Sequence, residues 1–223
     1  MHVPVTACLA AALSLGQASG ATIFSQIGSP ANLLTSGPEG FFRYGSQIFP
    51  GEPQFDLMAL DDFSIDGPAS IQSCSTVMAG YGQFGSFDGV QGFELRIFAS
   101  IQDAAIGSTA ALVSRTLATP AGFGAYGTGV RFDFDLGDGF TLAAGHYWMS
   151  IQAINPGSNG QVGVVISDLG DDQSWQANPG GGFGVPGNLL QRPVNLAYEL
   201  GGSVIPGPGA LALVLVLPGR RRR

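Results

Sequence analysis

The sequence predicts an all-β fold: a single β-sandwich of jelly-roll type, built from about ten short antiparallel strands. Three observations carry this. Apolar and polar residues alternate with a period of two in several segments, as in strands with one buried face. Gly and Pro together supply 49 of 223 residues. That is below the 25–30% or more that marks low-complexity chains, so they act as turn punctuation. Charged residues make up only 11%, and every one of the nine basic residues is Arg. A long exposed helical bundle needs more Lys and Glu than this.

The elements follow in order. Weaker strand candidates are 22–26, 41–48, 55–65 and 71–81. Phe93, Leu95, Ile97, Ala99 and Ile101 then point one way, with Glu94, Arg96, Ser100 and Gln102 opposite. Another weak candidate covers 111–118. Val130, Phe132, Phe134 and Leu136 alternate with Arg131, Asp133 and Asp135. Tyr147, Met149, Ile151 and Ala153 alternate with His146, Trp148, Ser150 and Gln152. A candidate at 161–167 precedes the last strand, where Val194, Leu196, Tyr198 and Leu200 alternate with Asn195, Ala197 and Glu199. Gly, Pro, Asn and Asp turns separate them. No amphipathic stretch exceeds two helical turns. The competing β-helix would need a repeat of fixed period, which the chain lacks.

The two ends read as addresses. Residues 1–21 have the form of a secretory signal: an apolar run from Ala7 to Leu15, then Ala18, Ser19, Gly20 and Ala21 as a small-residue cleavage region. Cleavage is expected after Gly20 or Ala21. Cys8 is not a lipidation site, because the apolar run follows it. Residues 204–223 hold Pro206-Gly207-Pro208, a short apolar run from Ala210 to Leu217, and Arg220, Arg221, Arg222 and Arg223. This tail resembles the PEP-CTERM sorting tail of exported bacterial proteins. Gly207 stands where that family has a central Glu. The run has eight residues, against about 20 for a spanning helix. The resemblance implies an exosortase-type membrane protease as partner, which recognises and removes the tail. The arginines would stay cytoplasmic under the positive-inside rule. Transient membrane contact through both termini follows, with an exported cell-surface or matrix protein as the product.

The resemblance extends inward through Ala59-Leu60-Asp61-Asp62-Phe63-Ser64-Ile65, Gly145-His146-Tyr147-Trp148-Met149-Ser150-Ile151 and Asn195-Leu196-Ala197-Tyr198-Glu199-Leu200. It implies a shared fold and no particular activity.

Residues 22–203 form the expected domain. They hold all sixteen acids and five of the nine arginines, a net charge of −11 against −7 for the whole chain. Nucleic acid is therefore not an expected partner. Cys74 is the one cysteine left after signal removal, so the fold must rest on its core, with Cys74 as a small buried apolar group.

Candidate chemistry is sparse. G-x-G-x-x-G occurs at Gly80/Gly82/Gly85, Gly122/Gly124/Gly127 and Gly182/Gly184/Gly187, but no helix follows to meet a phosphate. His146 and Ser150 lie four residues apart on one strand, about 13 Å, too far for a nucleophile–base pair. Asp133 and Asp135 could lie about 6–7 Å apart, within a glycosidase's range, which leaves a glycoside hydrolase as the second alternative. Asp133, Asp135 and Asp138 suggest an oxygen-rich Ca²⁺ loop, as do Asp168, Asp171 and Asp172. Ala144 occupies the twelfth position of the first, so it is not an EF-hand. The plainer alternative is turn-forming, solubilising Asp. Trp148, His146 and Gln152 share a face, and Trp175 lies in a polar loop; both tryptophans could stack on an extracellular polysaccharide. The alternative for Trp148 is a second packed layer. The expectation is a structural or adhesive protein without catalytic activity, with a Ca²⁺-assisted carbohydrate-binding module as first alternative.

Overall fold

The computed structural model describes residues 21–206. The predicted signal up to Gly20 and the sorting tail from Gly207 onward lie outside the described residues. Fifteen strands lie within them: β1 (Ala21–Ser25), β2 (Arg43–Gly45), β3 (Gln47–Ile48), β4 (Met58–Ile65), β5 (Ala69–Tyr81), β6 (Gly92–Phe98), β7 (Val113–Leu117), β8 (Gly124–Tyr126), β9 (Gly129–Leu142), β10 (Gly145–Ile154), β11 (Gln161–Ser167), β12 (Ser174–Ala177), β13 (Leu189–Arg192), β14 (Asn195–Leu196) and β15 (Tyr198–Val204). One α-helix, α1, spans Ile101–Ile106.

The strands form two sheets that pack face to face as a β-sandwich. The first is built around β5, which pairs with β15, β9 and β11; β1 flanks β15, β8 flanks β9, and β2 and β14 flank β11. The second runs β13-β12-β4-β10-β6-β7, with β3 added to β10. The chain crosses from one sheet to the other as it runs through β4, β5, β6, β9, β10, β11, β12 and β15. This is the crossing habit that a jelly roll expresses. Every pairing is antiparallel except β3 on β10.

The main core lies between the sheets, where the alternating residues meet as the sequence implied. Phe93, Leu95 and Ile97 of β6 face Phe132 and Phe134 of β9, and Met149, Ile151, Tyr198 and Leu200 complete the layer. Phe93 meets Phe132 in a tilted pair and Phe134 edge-on, at 4.8 and 5.0 Å between centroids. Cys74 is buried in this layer.

Three features differ from the expectation. The strands are more numerous, and β5, β9 and β10 are long, at 13, 14 and 10 residues. The strand expected to continue through Gln102 ends at Phe98. Ser100 takes an extended conformation and its Oγ accepts the Asp103 amide, capping α1 and turning the chain out of the sheet. The third difference follows from that turn. α1 and its neighbouring loop cover the outer face of the second sheet, so a second apolar cluster forms around Met58, Leu60, Phe98, Ile101, Ala104 and Ala177. Both faces of that sheet are thus buried over part of its length.

Candidate functional site

The predicted sugar-contacting residues are split by this second layer. Trp148 and Trp175 are half-buried, each with one side packed against the second cluster. Gln152 is fully buried. Its Oε1 accepts from Arg96 Nη1 at 2.7 Å and its Nε2 donates to the Leu57 carbonyl at 2.8 Å. His146 alone remains open, with half of its side chain exposed.

Five of the six acids predicted as Ca²⁺ ligands make local bonds. Asp133 Oδ1 accepts from Arg131 Nε and from Ser75 Oγ, both at 2.7 Å. Arg131 Nη2 continues to Glu199 Oε1 at 2.9 Å. Asp135 Oδ1 accepts the Gly137 amide at 2.9 Å. The segment that resembles a Ca²⁺ loop is therefore a wide bulge in β9, closed by an Asx turn, and Asp138 is exposed on it. Asp168 accepts from Asn32 Nδ2, Asp171 from the Gln173 amide, and Asp172 from Asn195 Nδ2, at 3.0, 3.1 and 3.0 Å. Among the described residues no three His, Cys, Asp or Glu side chains converge as a metal site would require. Pro206 of the sorting motif is exposed just beyond β15.

Two arrangements were not legible in the sequence. The first joins Asp62, His146 and Ser64. His146 pairs with Ser64 across β10 and β4, and Trp148 pairs with Asp62. Ser64 Oγ lies 3.1 Å from His146 Nδ1, and Asp62 Oδ2 lies 3.4 Å from Nε2. Burial raises the Asp62 carboxyl above its ordinary pKa, Asp171 adds to this, and His146 opposes it. The constituents are those of a nucleophile–base–acid relay. They lie on the exposed end of a strand pair, however, outside the grooves lined by Arg192, by Arg115, by Arg96 and by Arg131. The sequence paired His146 with Ser150, whereas register supplied Ser64; only the β4–β10 pairing could reveal that.

The second is a groove of about 440 Å³. Its walls include Tyr81, Phe49, Phe183, Gln161, Gln176 and Arg192. β5 supplies Tyr81, β11 supplies Gln161, β12 supplies Gln176, and the loop after β12 supplies Phe183. Phe183 is 42% exposed and meets Phe55 edge-on at 5.3 Å. Gln176 Oε1 accepts from Arg192 Nη2 at 3.1 Å, and Arg192 Nη1 holds Glu39 at 2.9 Å.

Tyr81 ties the groove to Arg43. Its hydroxyl donates to the Arg43 carbonyl at 2.9 Å, and its ring lies 4.3 Å from the Arg43 guanidinium. The Phe42 ring lies 4.1 Å from the same guanidinium. Gly163 makes this reach possible: a Cβ there would meet the Tyr44 carbonyl and come within 3.0 Å of the Tyr81 ring. Burial pushes the Tyr81 phenol up to about 12 and lowers the Arg43 pKa. Aromatic faces beside amides and a cation suit a polar ligand with a flat apolar side.

No protein-family model matches the chain, and a search of curated proteins returned no match.

Proposed function

We propose that the chain is exported and works at the cell surface or in the extracellular matrix as a non-catalytic, adhesive β-sandwich, sorted through its PEP-CTERM-like tail. One observation carries this reading best. β1 and β15 are neighbours, with Ala21 opposite Gly202. The chain therefore enters and leaves the sandwich side by side. Cleavage after Gly20 would leave β1 whole, cleavage after Ala21 would take its first residue, and removal of the tail from Val204 would take the last residue of β15. The internal use of its acids, as ion pairs and turn bonds, suits a scaffold more than a reaction centre.

The test is expression of the full chain in a bacterium that carries an exosortase-type protease. Intact-mass analysis should show loss of both ends, with the body at the surface or in the matrix. Cytoplasmic retention, or a mass that keeps both ends, would overturn the assignment. The groove favours a ligand-binding role within this function, with saccharide as the class that its rings and amides fit.

A further inference from the structure

A small cavity of about 130 Å³ lies on the outer face of the second sheet, beside α1. Its lining is mostly polar: Arg96 of β6, Gln152 of β10, Asp56 just before β4, and Ser108 from the connection after α1. The Arg96 side chain is only 10% exposed. Its Nε faces Glu94 Oε1 at 3.3 Å, and its Nη1 donates to Gln152 Oε1 at 2.7 Å. Nη2 has no hydrogen-bond partner among the described residues, and it is not sealed from solvent. Asp56 is half used in the same way. Its Oδ1 accepts the Phe49 amide at 2.8 Å, while Oδ2 has no partner among the described residues. Burial raises the Asp56 carboxyl above its ordinary pKa, and the Phe49 amide and then the Arg96 charge oppose this. A guanidinium and a carboxylate thus line one cavity without pairing to each other. Both keep hydrogen-bonding capacity at partly desolvated positions, where a well-placed partner is worth most.

We infer that this cavity binds the edge of a single neutral sugar ring, with a vicinal hydroxyl pair between Arg96 and Asp56. A hydroxyl donates and accepts at once, so the pair can accept from Nη2 and donate to Oδ2. Charge points the same way. Glu94 already offsets the Arg96 charge and Asp56 repels anions, while Arg96 repels cations. A neutral polyol meets neither penalty. The size agrees, since the cavity equals the liquid volume of about four waters at about 30 Å³ each. It is well below the roughly 300 Å³ at which drug-sized pockets begin, so it takes one ring edge and no chain of rings. Ile106 in the wall is 66% exposed, and Pro179 stands in the same wall; both offer apolar surface to the C–H face of a ring. Gly107, at φ +98°, lets the chain pass close to Pro179, where a Cβ would come within 3.2 Å of the proline ring. The groove is a separate site: Leu57 lines it, whereas Asp56 and Met58 on either side of Leu57 line this cavity.

The test uses the full chain and the methyl hexopyranosides of the gluco, manno and galacto series. Tetrahydropyran-2-methanol, a ring of the same size without vicinal hydroxyls, is the control. In an NMR titration at least one glycoside should shift the Arg96 Nε–H resonance, identified by its loss in R96K, and the control should leave it unmoved. D56N keeps an oxygen for the Phe49 amide but turns the spare acceptor into a donor, and it should weaken binding about tenfold. Ser108 is exposed, so S108F places a ring at the cavity without disturbing the core and should abolish the shift. That variant decides the matter even if D56N folds poorly. F183A, in the groove, should leave the titration unchanged. A shift that survives S108F and is lost in F183A places the sugar in the groove, which overturns the cavity site and leaves the groove reading standing. No shift with any glycoside overturns the cavity as a sugar site. An equal shift with the control overturns the hydroxyl pair as the group recognised. A shift with glycine or acetate in place of the glycosides overturns the neutral polyol as occupant.

Discussion

Asp61 shows how one residue can join two sheets. It lies on β4 in the second sheet and is fully buried. Its Oδ2 accepts the Leu196 amide of β14, in the first sheet, at 2.5 Å, while Oδ1 accepts the Asp62 amide at 2.9 Å. The Gln26 side-chain amide lies 2.8 Å from Oδ2. Burial holds the Asp61 carboxyl well above the ordinary carboxylate range, and these donors only partly oppose it. The folded chain therefore binds a proton at pH values where unfolded Asp, with a pKa of about 3.9, has lost it. Folded-state protonation exceeds that of the unfolded state, so the contribution is fullest in acid and is lost as pH rises through the folded pKa. Urea denaturation from pH 4 upward should show stability falling, and D61N should flatten that slope. D61A leaves buried donors unpaired and should cost about 3 kcal/mol at any pH in the range. A slope unchanged in D61N would place the pH dependence elsewhere. His146 and Ser64 make a contrasting case. Set on an open strand end and outside the grooves, Ser64 should not react with a serine-directed fluorophosphonate, and labelling at Ser64 by mass spectrometry would reverse that view.

The alternating segments were legible at the level of elements because a half-buried strand leaves a period of two in the sequence. Phe132, Phe134 and Leu136 of β9 are buried while Asp133 and Asp135 are exposed. Other elements left no such trace. β12 and β13 are four residues each, and β14 is two, too short to show a period. β10 buries both faces, so its polar-looking side, with Ser150 and Gln152, is also interior. The groove was illegible for a related reason: its walls come from distant segments that only the sheet order brings together. The bulge in β9 was illegible in a different way, since Asp spacing alone does not separate a turn from a cation loop. Ile71 pairs with Phe140 and Ser73 with Asp135, so one β5 residue, Gln72, faces four on β9. Gly139 adopts φ +63°, and a Cβ there would meet the Ile71 carbonyl. G139A should therefore destabilise by more than about 1 kcal/mol, read as a lower urea midpoint at unchanged slope. S100A, which removes the cap of α1, should cost about 1 kcal/mol by the same measurement. A neutral outcome in either would mean that the local geometry relaxes freely.

For the molecule as a whole, stability has to come from burial. Cys74 is a free thiol, so no intrachain disulfide helps among the described residues. It sits in β5, the strand that pairs with β15 on one side and β9 on the other, and it is 1% exposed. Burial pushes its thiol far above the ordinary cysteine pKa, which removes the thiolate that alkylating and disulfide reagents attack. Local fraying of β1 or of the loops cannot reach it, because both neighbouring strands must part first. Its labelling should then report opening of the whole sandwich, with a free energy near that of global unfolding. The experiment is disulfide exchange with an aromatic disulfide in the native state, on a form that lacks Cys8, compared with urea unfolding of the same protein. Labelling should be slow, should accelerate with urea along the global unfolding line, and should be unaffected by reductant pretreatment. Fast labelling in native buffer would mean that β5 opens on its own. The two sheets would then be a looser pair than the continuous aromatic layer of Phe93, Phe132 and Phe134 implies.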